Sequence, residues 1–341
     1  DLNAGFAVPC HGIQQLINEY GTKDCPQQVL SYFKDAYATS PDLYQLAFQT
    51  TLPGLFCGQA GNALGFFAAL QTGILPEPAP AYPYAWIDTA SPSLDLANGT
   101  AGQVMALLLI IRKHQDEVLE AHLKNLAGHL CDTQLPDGSW PMEELRLADG
   151  RAGVIFALLK YYSHRPEPAL QNVIRKGLNA LRSALDCTNS KELRQNNTVQ
   201  TDLSLMGGSA GLALVFIYAY QIFEFKEDAE TAGMLLGNLS EQPYSFDFSL
   251  ESGLAGIGLV CARAAGILKG PKWRARLSYI YHLLDHLKIS DAEDHIHWNM
   301  RGQNHIDDTL LSGNAGIIYF LMSIRQLNVP KNKLTIADHL F

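Results

Sequence analysis

Much is missing from this chain, and each absence removes a class of function. No Cys-x-x-Cys pair occurs among Cys10, Cys25, Cys57, Cys131, Cys187 and Cys261, so neither a zinc knuckle nor a disulfide framework is expected. Scattered thiols of this kind suit a reduced, cytoplasmic protein. No basic cluster stands out: 25 Lys and Arg face 34 Asp and Glu, a net charge of −9. Nucleic acid and anionic membrane are therefore not expected partners. No apolar run is long enough to cross a bilayer, because Gly, Gln, Arg or Lys interrupts each one. The opening Asp1-Leu2-Asn3 has neither an initiator Met nor a signal-peptide pattern, and reads as the edge of a domain excised from a longer chain. With 341 residues, 47% of them hydrophobic, the chain is long enough to bury a large core.

What is present is a repeat. Gly58-Gln-Ala-Gly61, Gly99-Thr-Ala-Gly102, Gly150-Arg-Ala-Gly153, Gly208-Ser-Ala-Gly211, Gly253-Leu-Ala-Gly256 and Gly313-Asn-Ala-Gly316 all read Gly-x-Ala-Gly, and Pro9-Cys-His-Gly12 is a worn seventh copy. Each clear copy leads into an apolar segment such as Gly102-QVMALLLII or Gly211-LALVFIYAY. These runs lack polar alternation and are too long for strands, which predicts buried helices. Between them lie amphipathic stretches: Gln27 to Ala38, Asp116 to Cys131, Leu170 to Leu185, Ala229 to Leu239 and Trp273 to Leu287. Apolar inner helices alternating with amphipathic outer ones predict an all-α fold. About seven of each would form a double ring, an α/α toroid built as one domain over residues 1–341. Glycine is expected at the mouth of each inner helix because it permits close backbone approach and positive φ. If the helix N-termini share one rim, unpaired N–H groups and helix dipoles there would favour anions.

Three connections stand out. Leu75 to Trp86 is rich in proline and aromatics, either a stiff connector or a cover that binds extended peptide through Tyr82, Tyr84 and Trp86. Asp186 to Asp202 reads as a polar connection. Ser290 to Asp308 holds the densest set of titratable side chains, among them His295, His297, His305, Asp307 and Asp308.

Repeated Gly-x-Ala-Gly segments opening buried helices resemble the lanthionine synthetase C-like cyclase family, whose fold is a double α/α toroid. Zinc-dependent members of that family place one cysteine two residues before the sixth motif's first glycine and a Cys-His pair just before the seventh's. Here those positions hold Glu251, Leu311 and Ser312, and Gly207 stands where such members have a histidine before the fifth. That is not a zinc donor set. Cys10-His11 falls inside its motif rather than ahead of it. The pattern is most similar to the zinc-lacking cyclase domain of class III lanthipeptide synthetases. The resemblance therefore implies addition of peptide Cys thiols to dehydroalanine or dehydrobutyrine, giving lanthionine or labionin. It implies no cofactor and no metal. The implied partners are a precursor peptide (a leader plus a Ser/Thr/Cys core) and the kinase and lyase domains of the same synthetase.

Without zinc, thiol activation needs a general base near the sulfur or a positive rim. By position, Asp149, Glu251, Ser312, Asp308, His305 and His297 qualify. His305 and His297 are the natural acid/base pair near neutrality, and Asp308 would orient them. Glu251 is a further rim carboxylate, and Asp149 is either a rim group or a helix cap. Asn98 and Ser312 face the same rim as peptide-contacting candidates. The bland alternative for the charged loop is a solvated surface. Two rival readings stay open. One is a catalytically silent barrel that binds the precursor peptide. The other is a terpene-cyclase-like α/α barrel, suggested by Gln134-Leu-Pro-Asp-Gly138-Ser-Trp140 but lacking any Asp-x-Asp-Asp acid motif.

Overall fold

The computed structural model describes residues 53–67 in part and 87–327, except for 115, 196–201, 291–295, 300–306 and 308. Among the described residues the regular structure is nearly all helix: α1 (Thr100–Ile111), α2 (Glu117–Asp132), α3 (Arg151–His164), α4 (Pro168–Gln195), α5 (Ser209–Phe223), α6 (Lys226–Leu235), α7 (Leu254–Ile267), α8 (Pro271–Leu287) and α9 (Asn314–Leu327). Two-residue strands, β1 (Ile289–Ser290) and β2 (Ile296–His297), pair antiparallel after α8. No helix among the described residues is long and apolar enough to cross a membrane.

The chain forms two compact units, Asp1–Thr133 with Leu340 and Gln134–His339 with Phe341. In the first, α2 packs on α1. Every residue of α1 is buried, whereas α2 buries only Leu119, Leu123, Leu126, Ala127 and Leu130, a stripe at spacings of three and four. Asp116 caps α2 by accepting from the Val118 N–H at 2.8 Å. In the second unit, α3, α5, α7 and α9 pack side by side in chain order, and α4, α6 and α8 lie against α3, α5 and α7. The inner members are buried along most of their length, from Ala152 to Tyr161 in α3 and from Ser209 to Ala219 in α5. The alternation expected from hydrophobic patterning is thus present. The amphipathic stretch from Gln27 to Ala38 and the worn copy at Pro9 lie outside the described residues.

Two boundaries differ from the sequence reading. The stretch after Asp186 was expected to be irregular, yet α4 continues to Gln195. Lys191-Glu-Leu-Arg-Gln195 supplies strong helix formers that outweigh Asn189 and Ser190. The helix opening at Trp273 in the sequence reading begins at Pro271 instead, with proline in the first turn, where its missing N–H has no cost.

The segment Gln134 to Trp140, which resembles a turn of terpene cyclases, has a structural task. The Gln134 side-chain amide donates to the carbonyls of Gly138 and Val173, both at 2.9 Å. Trp140 is fully buried, and a Cβ on Gly177 of α4 would meet its ring at 2.7 Å. The turn pins the start of the second unit to α4.

Candidate functional site

Among the described residues five inner helices, α1, α3, α5, α7 and α9, are entered through a seven-residue hook: 93–99, 144–150, 202–208, 247–253 and 307–313, each ending on the first glycine of its motif. The hook lies alongside the start of its helix. The Leu254, Ala255 and Gly256 N–H groups donate to the carbonyls of Asp247, Phe248 and Ser249 at 3.0, 3.3 and 3.3 Å. Thr100, Ala101 and Gly102 do the same with Ser93, Leu94 and Asp95 at 3.0, 3.1 and 3.4 Å. The first N–H of α3, α5 and α9 likewise reaches Glu144, Asp202 and Asp307 at 2.9, 2.8 and 2.6 Å.

This pairing corrects the expectation of a rim of free, electropositive helix tips. The N–H groups that would attract an anion are already satisfied by backbone carbonyls, whose partial negative charge offsets the dipole. Of the two reasons expected for the glycines, close backbone approach and positive φ, only the first holds. Gly253 has φ −109° and Gly150 −130°, extended backbone open to any residue. Glycine is required for space: a Cβ on Gly253 would strike the backbone of Asp247 and Ser249. One on Gly256 would strike the Leu250 carbonyl and approach the Leu205 Cβ of the preceding hook to 2.9 Å.

Two features of the hook were not drawn from the sequence. The fourth position is leucine throughout: Leu96, Leu147, Leu205, Leu250 and Leu310 are all at most 4% exposed. The first and third positions form a polar staple. The Asp247 carboxylate accepts from the Ser249 N–H and the Ser252 hydroxyl, both at 2.9 Å. Asp307 accepts from the Thr309 N–H at 2.9 Å and the Ser312 hydroxyl at 3.0 Å, and Asp202 from the Ser204 N–H at 2.8 Å. In the hook at Ser93 the two roles are exchanged, with the Ser93 hydroxyl donating to Asp95. An acid or hydroxyl six residues before the first glycine of the last five copies was the signal that could have revealed it.

Consecutive hooks of the second unit are joined through their fifth residues. The Ala148 N–H donates to Met206 at 3.1 Å, Met206 to Glu251 at 3.0 Å and Glu251 to Leu311 at 2.8 Å. This row sets the N-terminal ends of α3, α5, α7 and α9 side by side. It also brings together Glu251, Leu311 and Ser312. Glu251 is half-buried, with its backbone fixed by hydrogen bonds to both neighbouring hooks. The Ser312 hydroxyl is committed to Asp307 and, at 2.7 Å, to Thr309.

His297 is half-buried in β2, opposite Ile289. The next residue, Trp298, is tied to the last hook: its N–H donates to Asn314 Oδ1 at 2.7 Å, and Asn314 Nδ2 donates to the Asp307 carbonyl at 3.0 Å. Trp298 Nε1 donates to the Leu284 carbonyl at 2.7 Å, so this link fixes the segment bearing His297 between α8 and α9. Asp149 does not cap α3. Its carboxylate pairs with Arg146 at 2.7 Å, and the capping position is Gly150, with no side-chain cap. The Asn98 N–H donates to Asp95 Oδ1 at 2.6 Å. His305, Asp308, Tyr82, Tyr84 and Trp86 lie outside the described residues. Of the sequence-selected set, Glu251 and Ser312 stand in neighbouring hooks joined by one hydrogen bond, and Asp149 is in the hook at the other end of the row.

The donors here do not fit zinc. Of the three positions Glu251, Leu311 and Ser312, Leu311 offers no ligand atom and the Ser312 hydroxyl is held by the staple, leaving Glu251 as the one carboxylate of the three. Among the described residues no group of three or more His, Cys, Asp or Glu is placed to hold a metal ion.

Residues 199–341, less than half of the chain, match the family model described as lanthionine synthetase C-like protein. No curated protein matches. Among solved structures, one titled "Nisin cyclase" aligns over 94% of this chain and 87% of its own, with 14% identity and a TM-score of 0.59. At that identity the likeness establishes a shared fold.

Proposed function

We propose that this chain is a zinc-independent lanthipeptide cyclase domain, akin to that of class III synthetases. Supporting this reading is a single observation. The three hook positions that bear metal ligands in zinc-dependent relatives are held together by the Glu251 N–H to Leu311 carbonyl bond of 2.8 Å, and only Glu251 among them presents a free acid–base group.

The reaction is the addition of a peptide Cys thiol to dehydroalanine or dehydrobutyrine. Sulfur attacks Cβ, a C–S bond forms, the Cα=Cβ π bond breaks, and its electron pair moves onto the carbonyl as an enolate. The proton leaves sulfur and a proton returns to Cα. A free thiol has a pKa of about 8.5, so near neutrality only a few per cent is thiolate unless a base assists. Because the helix N–H groups are already paired, that task falls to a side chain. Glu251 takes the thiol proton, and His297, on the segment anchored through Trp298, returns one to Cα. The peptide and the kinase and lyase domains that prepare its dehydro residues are the partners this role requires.

Glu251→Gln keeps the shape of the side chain and removes the base. Free thiol in a dehydrated precursor peptide, followed with a thiol reagent, should then disappear about a hundredfold more slowly than with the unaltered chain. Burial pushes the Cys261 thiol up to about 12, but Cys131 is a half-buried thiol, so the signal of the chain without peptide is subtracted from each reading. Equal loss of thiol with and without the unaltered chain would favour the silent peptide-binding barrel, a reading to which the paired helix ends also lend support.

A further inference from the structure

The loop feeding the hook at Asp247 carries something the hook does not need. Tyr244 and Phe246 are 64% and 69% exposed, more than any other large hydrophobic side chain described. Their rings pack edge to face with centroids 5.1 Å apart. Pro243 between Gln242 and Tyr244 is buried and Ser245 half-buried, so alternate side chains of the loop face outward. The corresponding positions ahead of other hooks hold Ala90 and Pro92, or Pro141 and Glu143. The hook forms equally well there, which leaves the aromatic pair without an architectural role.

The loop is held in place at both ends. Arg276, 8% exposed on α8, donates through Nε to the Ser240 carbonyl at 3.0 Å and through Nη2 to that of Leu239. The Asp247 N–H donates to Ser245 Oγ at 3.0 Å. Exposed aromatics on a pre-formed segment lose little side-chain freedom on binding.

Charge decides what they would bind. From Glu227 to Ala262 the sequence contains no Lys, Arg or His, while it contains Glu227, Asp228, Glu230, Glu241, Asp247 and Glu251. Glu227 and Asp228 are occupied by Arg175 and Arg182 and Asp247 is held in the staple of its own hook, which leaves Glu241 and Glu251 as the acids flanking the aromatic pair. Arg276, the cation touching the loop, is buried beneath its backbone. We infer that Tyr244 and Phe246 form a docking edge for an extended peptide segment in which Lys or Arg stands beside an apolar side chain. The cation lies over a ring face and is neutralised by the flanking carboxylates. The edge is continuous with the hook that bears Glu251, so a segment seated on it delivers the neighbouring part of the same peptide to that carboxylate. The inference rests on the cyclase reading only for the identity of that peptide as the one being cyclised.

The test is a titration of the whole chain against two short fluorescein-labelled peptides, one with alternating Lys and Leu, the other with Glu in place of each Lys, read by fluorescence anisotropy. The Lys peptide should bind at least about tenfold more tightly than the Glu peptide, the preference should shrink in high salt, and a Y244S/F246S variant should lose about tenfold for the Lys peptide. Both substituted side chains are exposed, so the thermal midpoint should not move. Equal affinity for the two peptides, or unchanged binding by the variant, overturns the inference. So does a variant that turns a dimer into a monomer in light scattering while peptide binding stays the same. Thiol loss is measured separately. Binding as described without cyclisation would leave the docking edge standing and remove the enzyme reading, whereas cyclisation with unaltered binding by the variant would do the reverse.

Discussion

The hooks at Asp247 and Glu144 reach the same backbone by different side-chain chemistry. Both lay two carbonyls against the start of their helix, Leu254 and Ala255 donating at 3.0 and 3.3 Å and Arg151 and Ala152 at 2.9 and 3.2 Å. Both bury their fourth-position leucine completely. Yet the Asp247 carboxylate turns inward to Ser249 and Ser252, whereas Glu144 and Asp149 turn to Arg146, at 3.4 and 2.7 Å, in an ion pair more than 40% exposed. Leucine and glycine therefore specify the hook, and the remaining positions are free to vary. Chemistry can be placed at the fifth and sixth residues without disturbing the fold, and Glu251 stands there.

If that division holds, the largest losses follow from leucine. Leu250→Ala and Leu147→Ala should each cost about 4 kcal/mol in urea unfolding, since both leave a cavity where a fully buried side chain met the next hook. A large gap between the two would mean that the polar staple shares the work of specification. Next comes glycine. Gly256→Ala and Gly211→Ala should each cost about 3 kcal/mol, because the added methyl meets a backbone carbonyl that cannot withdraw and, at 2.9 Å, the Cβ of Leu205 or Leu147.

The same division explains how much could be read from the sequence. The inner helices were legible because burial on all sides leaves a long unbroken apolar run, and α2 because a half-wet helix shows its stripe. The glycines were legible as positions, and of the two reasons given for them close backbone approach holds and positive φ does not, since a one-dimensional pattern does not distinguish the two. The electropositive rim failed because a count of helix N-termini is silent about carbonyls folded back over them. Glu251 could be picked by its place in the repeat. Tyr244 and Phe246 could not, because an aromatic in a loop looks the same in sequence whether it is buried or bare; the proline-rich run from Leu75 to Trp86 drew attention instead.

The smallest effects bear most directly on the difference between the two hooks. Ser252→Ala removes a half-buried hydroxyl from the Asp247 carboxylate and should cost about 1 kcal/mol, nearly independent of salt. Asp149→Ala removes one arm of the exposed Arg146 pair and should cost about 0.5 kcal/mol at low ionic strength. That cost should vanish in high salt, because solvent and counterions screen an exposed pair far more than a half-buried one. Urea midpoints of the two variants at low and high salt give the comparison. If Asp149→Ala instead costs as much as Ser252→Ala in both conditions, the ion pair is a staple in its own right, and the fifth and sixth positions are less free to change than the conserved backbone geometry of the hooks implies.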